Sequence, residues 1–128
     1  MLDKLYVQAR YNLIAMMLVM GLIVTIGCGE SEPPVVDAGR DISDAVIDVP
    51  IQLDGRRSQS NNGEPLTYQW NVITKPKDSA ATLINNESAR PILIPDREGD
   101  YTFSLVVSDG ERVSDPAIVT VNVSASKN

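Results

Sequence analysis

DREGDYTFSLVVSDG, residues 96–110, carries the pattern of a central sandwich strand. Tyr101, Phe103, Leu105 and Val107 alternate with Thr102, Ser104, Val106 and Ser108, the two-residue period of a strand with one face in a core. Just ahead, Asp96, Gly99 and Tyr101 stand at the D-x-x-G-x-Y spacing of a tyrosine corner, whose phenol bonds back to the main chain a few residues earlier. Just after, Asp109-Gly110 tolerates the left-handed backbone of a tight turn. The next strand should therefore return antiparallel. Residues 117–123 supply it, with Ala117, Val119, Val121 and Val123 on one face and Pro116 at its start, where a missing donor does little harm.

Upstream, residues 66–73 place Leu66, Tyr68, Trp70 and Val72 on one face of a second central strand. Trp70 is the only tryptophan, and its position in the alternation predicts a core side chain, as on strand C of immunoglobulin-like sandwiches. Residues 56–64, RRSQSNNGE, hold no apolar side chain and read as an exposed loop. Shorter strands are expected at Val35-Val36, at residues 45–49 leading across Pro50 into Ile51-Gln52-Leu53, at residues 80–84, and at residues 89–95, the last near a sheet edge because of its prolines. Asp54-Gly55 reads as a turn. Seven to eight short antiparallel strands, spaced at about 8 to 12 residues, predict an all-β immunoglobulin-like sandwich over residues 35–124, with residues 125–128 as a tail. Its expected core is Trp70, Tyr68, Tyr101, Phe103 and Leu105, joined by Val119 and Val121.

The first 27 residues have a different character. Lys4 and Arg10 precede an uncharged, largely apolar run that ends at Gly27-Cys28-Gly29, the order of a secretory signal, which would form an N-terminal signal or anchor helix. The segment resembles a bacterial lipoprotein signal, since the chain's one cysteine lies where such signals are cleaved and lipidated; Thr25 stands where leucine is usual. That resemblance implies a signal peptide over residues 1–27, acylation (palmitate) at Cys28, a linker through residue 34, and a membrane attachment. Gly29, in place of aspartate, implies passage to an outer membrane where the organism has one. Two other readings stand beside it. The 19 uncharged residues 11–29 are nearly the ~20 that span a bilayer, giving an uncleaved single-pass inner-membrane anchor. Alternatively Cys28 is an ordinary thiol, although a lone cysteine has no partner within the chain.

Composition narrows the function. The 128 residues carry 17 acidic and 11 basic side chains, and beyond residue 27 the balance is 16 to 9, so a phosphate backbone is repelled and nucleic acid is excluded as a partner. With no histidine and one cysteine, Ser-His-Asp and Cys-His nucleophile systems are excluded, as are zinc sites built from those residues. A carboxylate pair for glycoside hydrolysis needs a deep cleft that a sandwich of this size rarely offers. The chain is therefore expected not to be an enzyme and to need no cofactor.

The region from PPVVDAG at residues 33–39 through IQLDG at 51–55, PLTYQW at 65–70, Lys75-Pro76, SAATL at 79–83 and GDYTFSLVVSDG at 99–110 resembles a PKD-type (polycystic kidney disease) immunoglobulin-like domain. What the resemblance implies is adhesion or recognition at the cell envelope, with a protein or a glycan as the partner, the domain being one module among several. A second class is a structural accessory subunit held by strand addition along a sheet edge. Calcium, a hard cation taken by six to eight oxygens, is the one metal the residues can suggest, with Asp37, Asp41 and Asp109 expected to converge at one end.

Overall fold

The computed structural model describes residues 31–125. The expected signal helix, Cys28 and the tail residues 126–128 lie outside them. Seven strands follow in order: β1 Ile42–Val46, β2 Ile51–Gln52, β3 Thr67–Thr74, β4 Leu83–Ile84, β5 Ile92–Leu93, β6 Gly99–Ser108 and β7 Ala117–Ser124. They form two sheets, one ordered β1-β7-β6-β3 and the other β2-β5-β4. The fold is an all-β sandwich, and the described residues contain no helix.

Alternation carries the packing. Leu105 lies between Trp70 on β3 and Ala117 on β7, Phe103 between Val72 and Val119, and Tyr101 faces Val121. Trp70, Tyr101, Phe103, Leu105, Val107, Val119 and Val121 are all 1% exposed or less, and Leu53 and Leu93 close the core from the other sheet. Tyr68 was expected in that core but is only half-buried, packed against its rim.

Gly55 shows why the interior is so close. A Cβ there would stand 2.8 Å from Leu105 Cδ2 and 3.1 Å from Trp70 Cζ2. Its nitrogen still donates to Ala89 O at 2.8 Å, so the glycine extends the β2 to β5 pairing and the turn closes only afterwards, where Ser58 N donates to Gly55 O at 3.1 Å. The glycine expected to serve a turn is there to admit two core side chains.

Four expectations are corrected. The strands are not all antiparallel, because β1 runs parallel to β7, with Ile42 facing Val121 and Ala45 facing Val123. No tight turn joins the first and last strands, so nothing forces them to oppose; the Asp41 carboxylate caps the exposed Thr120 N at 2.8 Å. The strand expected at residues 45–49 is displaced toward the N-terminus, since Asp48 adopts φ 62 and Val49 N bonds back to Val46 O at 3.2 Å. Val35 makes only an isolated bridge to Gln59. The strand expected at residues 80–84 is cut to two residues, as Ala80 N and Ala81 N are taken by the Asp96 carboxylate and the Ser79 hydroxyl.

Candidate recognition surface

The corner begins with Tyr101. Its hydroxyl donates to Arg97 O at 3.0 Å, accepts from Arg97 N at 3.1 Å, and lies 3.1 Å from Asp96 Oδ1 and 3.2 Å from Ser79 Oγ. Asp96 in turn accepts from Ser79 Oγ at 2.5 Å and from Ala80 N at 2.7 Å, which ties the β3 to β4 connection to the start of β6. The D-x-x-G-x-Y spacing therefore closes a fully bonded junction.

The Ser79 hydroxyl, followed by Ala80 N, holds the Asp96 carboxyl down from 3.8 to about 2. A depressed folded value makes the ionised, bonded form a source of stability that is complete above the unfolded value and lost as pH falls through the folded one. Melting temperature should therefore drop between about pH 4 and pH 2, and Asp96→Asn should flatten that part of the curve. Parallel acid limbs for the two proteins in melts across this range would remove the assignment. Arg56 grips Asp54 by donating from Nε and Nη2, at 2.9 and 2.7 Å, and holds that carboxyl well below the usual range. With both side chains largely exposed, solvent screens the pair and it contributes little to stability.

The three carboxylates expected to gather for calcium are dispersed. Asp37 Oδ1 accepts from Gly39 N at 2.8 Å, and Asp41 Oδ1 from Thr120 N. Asp109 Oδ1 accepts from Glu111 N and Arg112 N at 3.0 and 2.8 Å, bonds that hold its carboxyl below the ordinary value, while its Oδ2 is buried with no partner. Thr120 faces Thr102, seven residues along β6 from Asp109. At ~3.3 Å per residue that is a separation of ~23 Å, so Asp41 and Asp109 do not reach one ion. Among the described residues no group of three or more carboxylates or thiolates is placed to hold a metal.

A different surface is present that alternation alone did not announce. Across the three-stranded sheet, Ile51, Leu93 and Leu83 form one row and point inward, so the adjoining row of Gln52, Ile92 and Ile84 points out. Ile94, two residues beyond Ile92, is on the same side and 41% exposed, and Ile84 is 46% exposed. Asp48 N donates to Pro95 O at 2.8 Å, which ties the turn before β2 to the segment after β5. Ile84, Ile92 and Ile94 thus make an apolar strip on the outer face, with Gln52 and Arg90 at its margin. Ile92-Leu93-Ile94 reads as continuously apolar, which conceals from the sequence which side chains face water.

The long free edge of the four-stranded sheet belongs to β3. It is interrupted at its centre: Trp70 N donates to Asn86 O at 2.9 Å, and Asn86 Nδ2 donates to Trp70 O at 3.4 Å. An edge held in this way is a poor template for another strand. No helix among the described residues is long and apolar enough to cross a membrane.

Two sheets in this order, with the corner tyrosine and buried tryptophan in place, agree with the family model for the K319L-like PKD domain, which matches residues 38–123. The chain belongs to that family. Dyslexia-associated protein KIAA0319 of Homo sapiens is 30% identical to this PKD chain over 96 residues, 75% of this chain and 9% of that protein. Its Rattus norvegicus homolog is 30% identical over 98 residues, with the same coverage. The chain thus spans under a tenth of the length of the curated relatives it matches. Among solved structures, the solution structure of the PKD domain from the KIAA 1837 protein aligns with TM-score 0.59 at 25% identity, covering 80% of this chain and 96% of that one. A nucleoside hydrolase-related hypothetical protein from Saccharophagus degradans aligns with TM-score 0.62 at 20% identity over 73% of this chain and 26% of that one, a likeness of fold alone.

Proposed function

We propose that this PKD domain is a non-catalytic recognition module, lipid-anchored at the cell envelope through Cys28, that binds a protein partner with the strip Ile84, Ile92 and Ile94. The observation that carries the reading is the strip itself. Isoleucines side by side on the solvent face of a small sheet are the composition of an interface centre, and Gln52 and Arg90 give it a polar margin. A protein is favoured over a glycan because Trp70, Tyr101 and Phe103 are buried and Tyr68 is half-buried, leaving no fully exposed ring among the described residues for a sugar to stack on. Interruption of the β3 edge by Asn86 weighs against the accessory-subunit reading by strand addition. Absence of histidine from the sequence, and carboxylates engaged with backbone donors, weigh against catalysis.

A photo-crosslinking residue at position 84 tests the surface, with position 71 on the four-stranded sheet as control. A discrete adduct in intact cells is expected from the first and not the second. Ile94→Asp, made in the position-84 crosslinking protein, should reduce it at least tenfold, about 1.4 kcal/mol of binding, with little change in melting temperature. Equal adducts from both positions would end the reading. The anchor is tested separately: Cys28→Ala should abolish labelling by radioactive palmitate, and persistent labelling would remove the lipid from the account while leaving the strip untouched.

A further inference from the structure

The loop between β2 and β3 holds an asparagine whose surroundings are those of a reacting amide. Asn62 Oδ1 accepts from Ser60 Oγ at 2.6 Å and from Glu64 N at 2.9 Å. The next residue is Gly63, at φ 77, with nothing within 4 Å of the position a Cβ would take. Asn62, Gly63 and Glu64 are exposed, and Gly63 N donates no hydrogen bond among the described residues. Asn62 is the one asparagine in the sequence followed by glycine. Asn86 and Asn122 precede glutamate and valine, and their amide nitrogens are bonded to Trp70 O and Asp100 Oδ1.

We propose that Asn62 is a site of self-modification, converted to aspartate and isoaspartate by its own loop. Gly63 N, once its proton has passed to solvent base, attacks Cγ of Asn62. A new C–N bond forms, the bond to the side-chain nitrogen breaks, and ammonia leaves with a proton from solvent. Water then opens the resulting five-membered imide at either carbonyl, and no oxidant or reductant is involved. Glycine suits the attacking position because it carries no side chain to obstruct the approach. The Ser60 hydroxyl and Glu64 N–H already lie on the oxygen where negative charge gathers in the tetrahedral intermediate, as donors in an oxyanion hole do.

Conversion has two structural consequences. It adds a negative charge beside Glu64, and in the isoaspartyl product it lengthens the main chain next to Asn61, whose Nδ2 ties the loop to Pro33 O at 2.7 Å. The loop would therefore loosen from the segment that leads into the domain.

The full chain, incubated in mildly alkaline buffer and mapped by peptide mass, should gain about 1 Da at residues 60–64, with aspartyl and isoaspartyl forms separating on chromatography. Asn85, Asn86 and Asn122 should remain amides over the same period. Ser60→Ala, in an exposed loop, should slow conversion about fivefold, less than in a water-excluded oxyanion hole because solvent competes here. Asn62→Gln should abolish it. An intact Asn62 after another asparagine has converted, or a Ser60→Ala protein converting at the original rate, would overturn the proposal. Circular dichroism of the Ser60→Ala variant verifies that a slower rate is not a loss of fold.

Discussion

Trp70→Ala is expected to destabilise the domain by about 4 kcal/mol, within the 3 to 5 typical of deleting a large core aromatic. The side chain is 1% exposed and packs beside Leu105 against Gly55, where even an added methyl would collide. Its removal leaves a cavity in the core and strands the Ser88 carbonyl, to which Nε1 donates at 3.0 Å. The surrounding strands have little room to collapse, because Leu105 is held by pairing on both sides of β6 and Val107 by pairing with Tyr68 and hydrogen bonds to Ser114. A domain of this size has about 5 to 15 kcal/mol in total, so the variant should remain folded at ambient temperature but lose a large share of its stability and melt well below the parent. Trp70→Phe separates the two contributions, keeping much of the packing while losing the bond to Ser88. Urea denaturation gives the comparison directly. A change below about 1 kcal/mol for alanine would mean that the core does not centre on Trp70.

How far the chain announces this arrangement depends on the length of each strand. β3, β6 and β7 are 8, 10 and 8 residues long, and each shows four or so turns of the alternation, enough for the period to stand out. The tyrosine corner is legible because its spacing is local. β2, β4 and β5 are two residues each, and their ends are set by bonds from afar: Asp96 to Ala80, Gly55 to Ala89, Leu53 to Pro91. No pattern within the segments encodes those partners. The same holds for the apolar strip, whose outward direction follows from the pairing of Ile51 with Leu93 rather than from anything in Ile92-Leu93-Ile94 itself. Asp37, Asp41 and Asp109 are separated for a related reason: each carboxylate serves a nearby or cross-strand backbone donor, a use that short acidic side chains share with metal binding and that composition cannot tell apart.

Tyr101→Phe removes one oxygen and should cost about 2 kcal/mol, more than a single hydrogen bond ordinarily contributes. The reason is the number of groups left behind. Arg97 N and Arg97 O both lose their partner, and Asp96 Oδ1 and Ser79 Oγ lose a neighbour at 3.1 and 3.2 Å. The ring itself is 1% exposed and stays packed against Val121, so the loss is of hydrogen bonding at nearly constant shape. The bonds are part-buried, so the donors and acceptors left without partners carry a share of the desolvation penalty of about 1 to 3 kcal/mol, which is where the excess arises. The corner also predicts coupling. Ser79 bonds both Tyr101 and Asp96, so Ser79→Ala and Tyr101→Phe should be non-additive in a double-mutant cycle by about 0.5 kcal/mol or more. The pH curve supplies an independent reading: Ser79→Ala removes the main cause of the low Asp96 value, so the variant should lose less stability on acidification than the parent. Additive energies together with an unchanged acid limb would mean that the corner is a set of separate contacts and not one junction.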